Sequence, residues 1–354
     1  MASPPSAPPS RRELFNQLFP LEKSFRWKQI EEAFYKPHFK GWEDVLTLSK
    51  SMRETLAAQM PWMSHEEVQV FVSGQKDTYK AILQLADTQR IETVLMANRR
   101  GQWTICVSSQ VGCAMKCGFC ATGKMGLLRN LTVDEIADQY RFWIQYLTLH
   151  PELPQRISNV VFMGMGEPLA NYENVKATLN TWLNYTDIGP THITVSTVGV
   201  LPVLEKILVD PEWPHVRLAL SLHSADGQTR KDIIPTSHDQ FLPLIQNWIE
   251  RYLEQFGNRR HHFTFEYVML KNVNDTVHHA EVLAELANAL GHIKLNLIPY
   301  NFTDLGFERS KDEQIKRFKG ILEKRLVSVT VRKTMGDDIA AACGQLITLG
   351  AKKN

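Results

Sequence analysis

The chain has 354 residues, 44% of them hydrophobic and 22% charged, with a net charge of +2. That length suits one large domain, or a large domain with a small one, and a sizeable core. So weak a basic balance excludes a general nucleic-acid coat and leaves RNA binding to local patches. The opening MASPPSAPPSRREL lacks the apolar stretch of a signal peptide and reads as a disordered tail over 1–11. No apolar run is long enough for a membrane span.

From about residue 12 to 75, RRELFNQLF, WKQIEEAFY and WEDVLTLSKSMRETLAAQM carry apolar residues three and four apart. This predicts amphipathic helices, assigned to an accessory domain over 12–77. The period then changes. TYKAILQLAD, RIETVLMAN and QWTICVSSQ read as strands, the last two joined by a turn at Arg99-Arg100-Gly101. Beyond Trp103, candidate strands at 103–108, 157–163, 191–197, 216–222, 262–270 and 292–298 alternate with helical stretches. Thr132 and Glu135 form a capping-box pattern before one helix, another begins at Asp275, and a third over 311–325 leads to a strand in SVTVRK. Repeated βα units imply a parallel sheet, and six could curl into an open barrel. The expected fold class is α/β: a partial (β/α)6 barrel in a core spanning 78–346, with a β extension, an N-terminal helical domain and a short tail over 347–354. Sites in such folds sit after the C-terminal ends of the strands.

Five cysteines, three of them crowded together, make a poor disulfide framework and point to a reducing, cytoplasmic setting. The crowded three are Cys113-Ala-Met-Lys-Cys117-Gly-Phe-Cys120, between a strand and a helix. A structural zinc site needs four ligands, and the nearest downstream histidine is His150, at a predicted helix end. A four-iron cluster held by three thiolates keeps one iron open to a further ligand. Read alone, Cys343 in AAACGQL is a buried small hydrophobe, Cys106 an inward strand residue, His223 a satisfied core histidine and Glu92 an exposed strand carboxylate. Gly164-Met165-Gly166-Glu167-Pro168 follows a strand but lacks the third glycine of a dinucleotide fingerprint. Local basic clusters stand at Arg99-Arg100, at Arg259-Arg260-His261-His262, at Lys316-Arg317 with Lys319, at Lys324-Arg325 and at Arg332-Lys333. Most such clusters are solvated faces; Arg332-Lys333, close before Cys343, is the one that suggests RNA contact.

CxxxCxxC after the first strand of a βα barrel resembles the radical S-adenosylmethionine (SAM) enzymes. Together with VSSQVGCAMKCGFCATG, NLTVDEI, FMGMGEPLAN, STVGV, SLHS, EYVML, NLIPYN and VRKTMGDDIAAACGQL, in that order from about Glu92 to Leu346, it resembles the RlmN/Cfr family of RNA adenine methyltransferases. The resemblance implies a [4Fe-4S] cluster on Cys113, Cys117 and Cys120, and two SAM per turnover. It implies SAM contacts at Gly166, Glu167, Ser196, Ser221, Leu222, His223 and Asn301. Cys343 would carry the methyl group, and Cys106 would take a proton and close a transient disulfide with Cys343. Glu92 aligns with the family's proton acceptor, at a spacing one residue longer than usual. The implied partners are 23S rRNA, tRNA as a further substrate, and an electron donor such as flavodoxin or ferredoxin, with no membrane. Pro168 in GEPLAN and VRKT before GDDI favour methylation at C2 of adenosine over the C8 methylation of the Cfr branch. Met335 and Ala340 depart from the common pattern and bear on substrate range. Two further classes remain: a radical SAM enzyme acting on a small molecule or peptide, and a non-catalytic RNA-binding protein with a structural metal.

Overall fold

A computed structural model describes residues 8–346 apart from Arg99, 258–262 and 292. The basic cluster at 259–262, Arg99, the tail over 347–354 and most of the N-terminal tail therefore lie outside the described residues. Helix α1 (Arg11–Leu18) opens at Ser10, whose hydroxyl accepts from Glu13 N while the Glu13 carboxylate accepts from Ser10 N. This capping box satisfies two otherwise orphaned amides. With α2 (Ser24–Phe34) and α3 (Lys50–Gln59), α1 buries Phe15, Trp27, Ile30, Phe34 and Leu56 in a small core of its own.

Here the helical reading to residue 75 needs correction. Helix stops at Gln59, and His65–Val72 is strand β1, antiparallel to β2 (Thr78–Leu85). HEEVQVFV fits this pairing through its valines and phenylalanine, and partner-strand hydrogen bonds outweigh its short helix-like spacing. β2 pairs with β3 (Arg90–Ala97), and β3 with β4 (Trp103–Cys106), both antiparallel.

After β4 come a small hairpin not foreseen from the sequence, β5 (Gln110–Gly112) with β6 (Leu127–Asn130), and the short α4 (Ala121–Met125) between them. The alternation follows: α5 (Val133–Leu149), β7 (Ile157–Phe162), α6 (Tyr172–Tyr185), β8 (Ile193–Thr197), α7 (Leu201–Val209), β9 (Arg217–Ser221), α8 (Gly227–Ile233), α9 (Phe241–Phe256), β10 (Phe263–Met269), α10 (Val277–Leu290), β11 (Ile293–Pro299), α11 (Asp312–Lys324) and β12 (Ser328–Val331). Thr132 and Glu135 do cap α5, whereas α10 is capped by Thr276 rather than Asp275.

Among the described residues ten strands form one sheet, ordered β1-β2-β3-β4-β7-β8-β9-β10-β11-β12 and parallel from β4 onward. It is an open α/β barrel extended by an antiparallel edge. Its core includes the fully buried Trp143, Trp182 and Trp248. Asp138, buried on α5, joins this body to α1 by an ion pair of 2.8 Å with Arg11, and it also pairs with Arg141. No described helix is long and apolar enough to cross a membrane.

Beyond β12 the chain returns across the ends of the barrel strands. Gly344 O accepts from Ala121 N at 2.8 Å, Leu346 O from Thr122 Oγ1 at 2.6 Å, and Cys343 O from Asn301 Nδ2 at 3.1 Å. These bonds bring the last cysteine beside the first cysteine loop.

Candidate active site

The loop after β5 is held at each end. Cys113 N donates to Gly126 O at 2.9 Å and Gly118 N to Ile233 O at 2.9 Å. Cys113, Cys117 and Cys120 thereby line one cavity, which measures about 880 Å³ out to its open mouth. Burial pushes the Cys113 thiol up to about 12. Burial also raises Cys117, and the neighbouring sulfurs Cys120 and Cys113 raise it further. Three thiolates here repel one another in a poorly solvated place, so only a bound cationic group would hold them ionised together. The donor set therefore fits a multi-iron cluster better than zinc, which would also need a fourth ligand.

The rest of the cavity wall comes from the strand ends. Gly166, Glu167, Ser196, Ser221 and His223, all expected as SAM contacts, line it with Cys343. Gly166 has φ +95°, and a Cβ there would stand 2.5 Å from Gln110 Cβ. The buried Glu167 carboxylate accepts from Leu169 N at 3.0 Å and Val198 N at 2.9 Å, which fixes its orientation. Ser196 Oγ and Ser221 Oγ are 3.2 Å apart. His223, also at positive φ, accepts from Val268 N through Nδ1 at 3.1 Å. Burial pushes its pKa down to about 3, so the ring is neutral. His223 is thus both a backbone-satisfied histidine and a cavity residue. Leu222 and Asn301 are not part of the lining. Leu222 points into the core, while the buried Asn301 holds Cys343 O and keeps its Oδ1 without a hydrogen-bond partner.

Cys343 is exposed, contrary to the buried role its alanine neighbours suggest. Its thiol faces the cavity yet sits inside the protein's outline, and that setting raises its pKa. Cys106 is buried near it. Burial raises the Cys106 thiol first, and the charge of Cys343 adds to the rise. Both cysteines are free. Val94 faces Cys106 across the β3–β4 pairing, so Glu92, two residues earlier, shares the strand face of Cys106. Glu92 is not the exposed carboxylate expected of it alone. It is 1% exposed and pairs with Lys80 at 3.1 Å.

Sequence reasoning missed Glu266. Glu266 lines the cavity and accepts from Arg332 at 2.7 Å and Asn296 at 2.9 Å through Oε1, while its buried Oε2 has no hydrogen-bond partner. Arg332, from the cluster expected to meet RNA, pairs with Glu266. A carboxylate inside the apolar strand FTFEYVM was the available signal.

The Radical SAM superfamily model matches residues 107–287. The structure is similar to the crystal structure of a radical SAM methyltransferase from Sphaerobacter thermophilus, with 35% identity, a TM-score of 0.86, and coverage of 95% of this chain and 96% of that one. A domain of pyruvate-formate lyase-activating enzyme from Bacteroides vulgatus matches 50% of this chain and 99% of its own at 19% identity and TM-score 0.38. A spore photoproduct lyase mutant with dinucleoside spore photoproduct matches 67% and 79% at 12% identity and TM-score 0.48. These last two likenesses are too weak to build on.

Proposed function

This chain belongs to the radical SAM superfamily, and from that premise we propose that it is an RNA methyltransferase that places a methyl group on C2 of an adenosine in 23S rRNA and, as a further substrate, on adenosine 37 of tRNA. The observation that carries this reading is the convergence of Cys343 with Cys113, Cys117 and Cys120 on one cavity, with Cys106 close behind Cys343. The similar Sphaerobacter thermophilus protein is named a methyltransferase.

Cys113, Cys117 and Cys120 would hold a [4Fe-4S] cluster, which supplies one electron to cleave the C–S bond of SAM. The remaining roles belong to this chain's side chains. An adenine C2 is electron-poor and does not attack the methyl of a sulfonium, so the carbon must come from a carrier. Cys343 suits that role because it faces the cavity while Asn301 pins its carbonyl and Ala121 pins that of the next residue, Gly344. As thiolate it would take a methyl from one SAM. Cys343 would then hold that S-methyl group where the chemistry a second SAM supplies can remove a hydrogen from it, so that its carbon would add to the ring. The adduct would give up one electron, the equivalent of the one spent on cleaving SAM, and its C2 proton, which Cys106 would take. Cys106, once it has passed that proton on, would attack the Cys343 sulfur and close a disulfide as the freed carbon takes up a proton to become the methyl group. An external two-electron reductant would reopen the disulfide. Glu92, already paired with Lys80 on the same strand face, is the next acceptor for that proton.

The oriented Glu167 carboxylate and the Ser196–Ser221 hydroxyl pair would supply acceptors and donors for the polar groups of SAM. The substrate base is an unstacked adenosine, since a stacked base could not enter the cavity. An external donor such as flavodoxin or ferredoxin would deliver the electron. Nucleoside mass spectrometry of RNA from a deletion strain, complemented with wild type or Cys343→Ala, tests the reading. Wild type should restore 2-methyladenosine and the variant should not. Appearance of 8-methyladenosine, or full modification by the variant, refutes it.

A further inference from the structure

Helix α8 lies against the cysteine loop. Ile233 O accepts from Gly118 N at 2.9 Å, and Ile233 and Ile234 pack with Phe119, Cys117 and Cys120. One turn earlier stands Arg230, 1% exposed. Its Nη1 donates to Ser221 O at 3.0 Å and to Leu222 O, and its Nη2 to Val198 O at 2.7 Å. The guanidinium lies 4.1 Å over the Phe241 ring, and its buried Nε has no hydrogen-bond partner. Three carbonyls and an aromatic face are partial compensation for a fully buried cation, which ordinarily requires an anion. Arg230 shares the lining of a cleft with Met115, which stands between Cys113 and Cys117 in the cysteine loop.

We propose that Arg230 is the internal counter-charge of the iron–sulfur group held by Cys113, Cys117 and Cys120, and that it raises the group's reduction potential. The proposal rests on the cluster reading above. A fixed cation in a poorly polarisable interior stabilises an added electron on a neighbouring cluster, and charge is one of the protein's levers on such potentials. The same guanidinium bridges the ends of β8 and β9, from which Ser196 and Ser221 face the cavity. Arg230 is thus a positioning residue, and its charge and its forked shape do separable work.

The test uses the full chain, reconstituted anaerobically, as wild type, Arg230→Lys, Arg230→Gln and Arg230→Met. Iron and sulfide content are measured first, then the midpoint potential by EPR-monitored redox titration. If charge is what matters, Arg230→Lys stays near wild type. The two neutral variants shift negative by at least a tenfold poorer reduction equilibrium, about 59 mV for one electron. Should the neutral variants fail to load, the expectation is that Arg230→Lys loads normally and that the cluster-free neutral variants keep the wild-type circular dichroism. The proposal is overturned if all variants titrate with wild type, if Arg230→Lys behaves as the neutral variants do, or if the neutral variants are unfolded without the cluster. A wild-type protein that holds no iron–sulfur cluster would instead overturn the underlying reading.

Discussion

Gly166→Ala separates the architecture of the cavity wall from general stability. Gly166 has φ +95°, and a β-carbon there would lie 2.5 Å from Gln110 Cβ, 2.7 Å from Cγ and 2.8 Å from the backbone N. Holding alanine at positive φ costs about 1–2 kcal/mol, and an extra carbon forced into a packed wall adds about 1–3 kcal/mol. Gln110 has little room to yield. Its Nε2 donates to Asn130 Oδ1 at 2.7 Å, and its Oε1 accepts from Glu167 N at 2.9 Å. Any displacement therefore reaches Glu167, so the loss should appear in ligand affinity as well as stability. Gly101→Ala is the control, with φ +68° and no atom within 4 Å of its added carbon, in a turn outside the cavity. Anaerobic urea unfolding should show a loss of about 2–5 kcal/mol for Gly166→Ala and about 1 kcal/mol for the control. Calorimetric titration with S-adenosylhomocysteine should show at least about tenfold weaker binding, equivalent to 1.4 kcal/mol, for Gly166→Ala alone. Equal stability and equal affinity in the two variants would refute the reasoning.

Asp138→Asn removes a carboxylate shared by the buried Arg11 and Arg141, and unfolding should show a loss of about 3–5 kcal/mol. Burial alone would raise the Asp138 pKa, but Arg11 and Arg141 outweigh it and hold the folded value below normal. Its contribution is then complete above the unfolded value of about 3.9 and drains away as pH falls toward the folded one. Acid unfolding of wild type should be steeper than that of the variant, and identical profiles would contradict this. Cys117→Ser should abolish iron retention while circular dichroism keeps the wild-type spectrum; normal iron content would remove Cys117 from the ligand set. Cys106→Ala should still cleave SAM but stall before release, leaving RNA joined to Cys343 and visible as a slowed band on a denaturing gel. Multiple turnovers without such a band would exclude Cys106 from the release step.

The barrel strands were legible because each is a short run of β-branched and aromatic residues bounded by turn chemistry, and their helices carry the apolar period of a one-sided element. β1 was not, since the strand of HEEVQVFV follows a genuinely helical segment and is defined by its pairing with β2. The cysteine loop announced itself by spacing, whereas the GEP segment depended on a resemblance, as did the place of Cys343. It comes to the cavity through hydrogen bonds from Asn301 and Ala121, which no local pattern encodes. The same limit hid Lys80–Glu92, which meet across the neighbouring strands β2 and β3, and Glu266–Arg332, which lie two strands apart, on β10 and just past β12. Arg230 was hidden for another reason. In GQTRKDI it looks like any cation near a helix end, and only the folded chain reveals that it is buried.

The central claim is that three thiols hold a four-iron cluster with one iron left open for SAM. Mössbauer and EPR spectroscopy of the anaerobically purified full chain, with and without SAM, tests it most directly. The account predicts a cubane whose reduced spectrum changes when SAM is added, with one iron site distinct from the other three. A single tetrahedral zinc, or a cubane whose spectrum is indifferent to SAM, would contradict it.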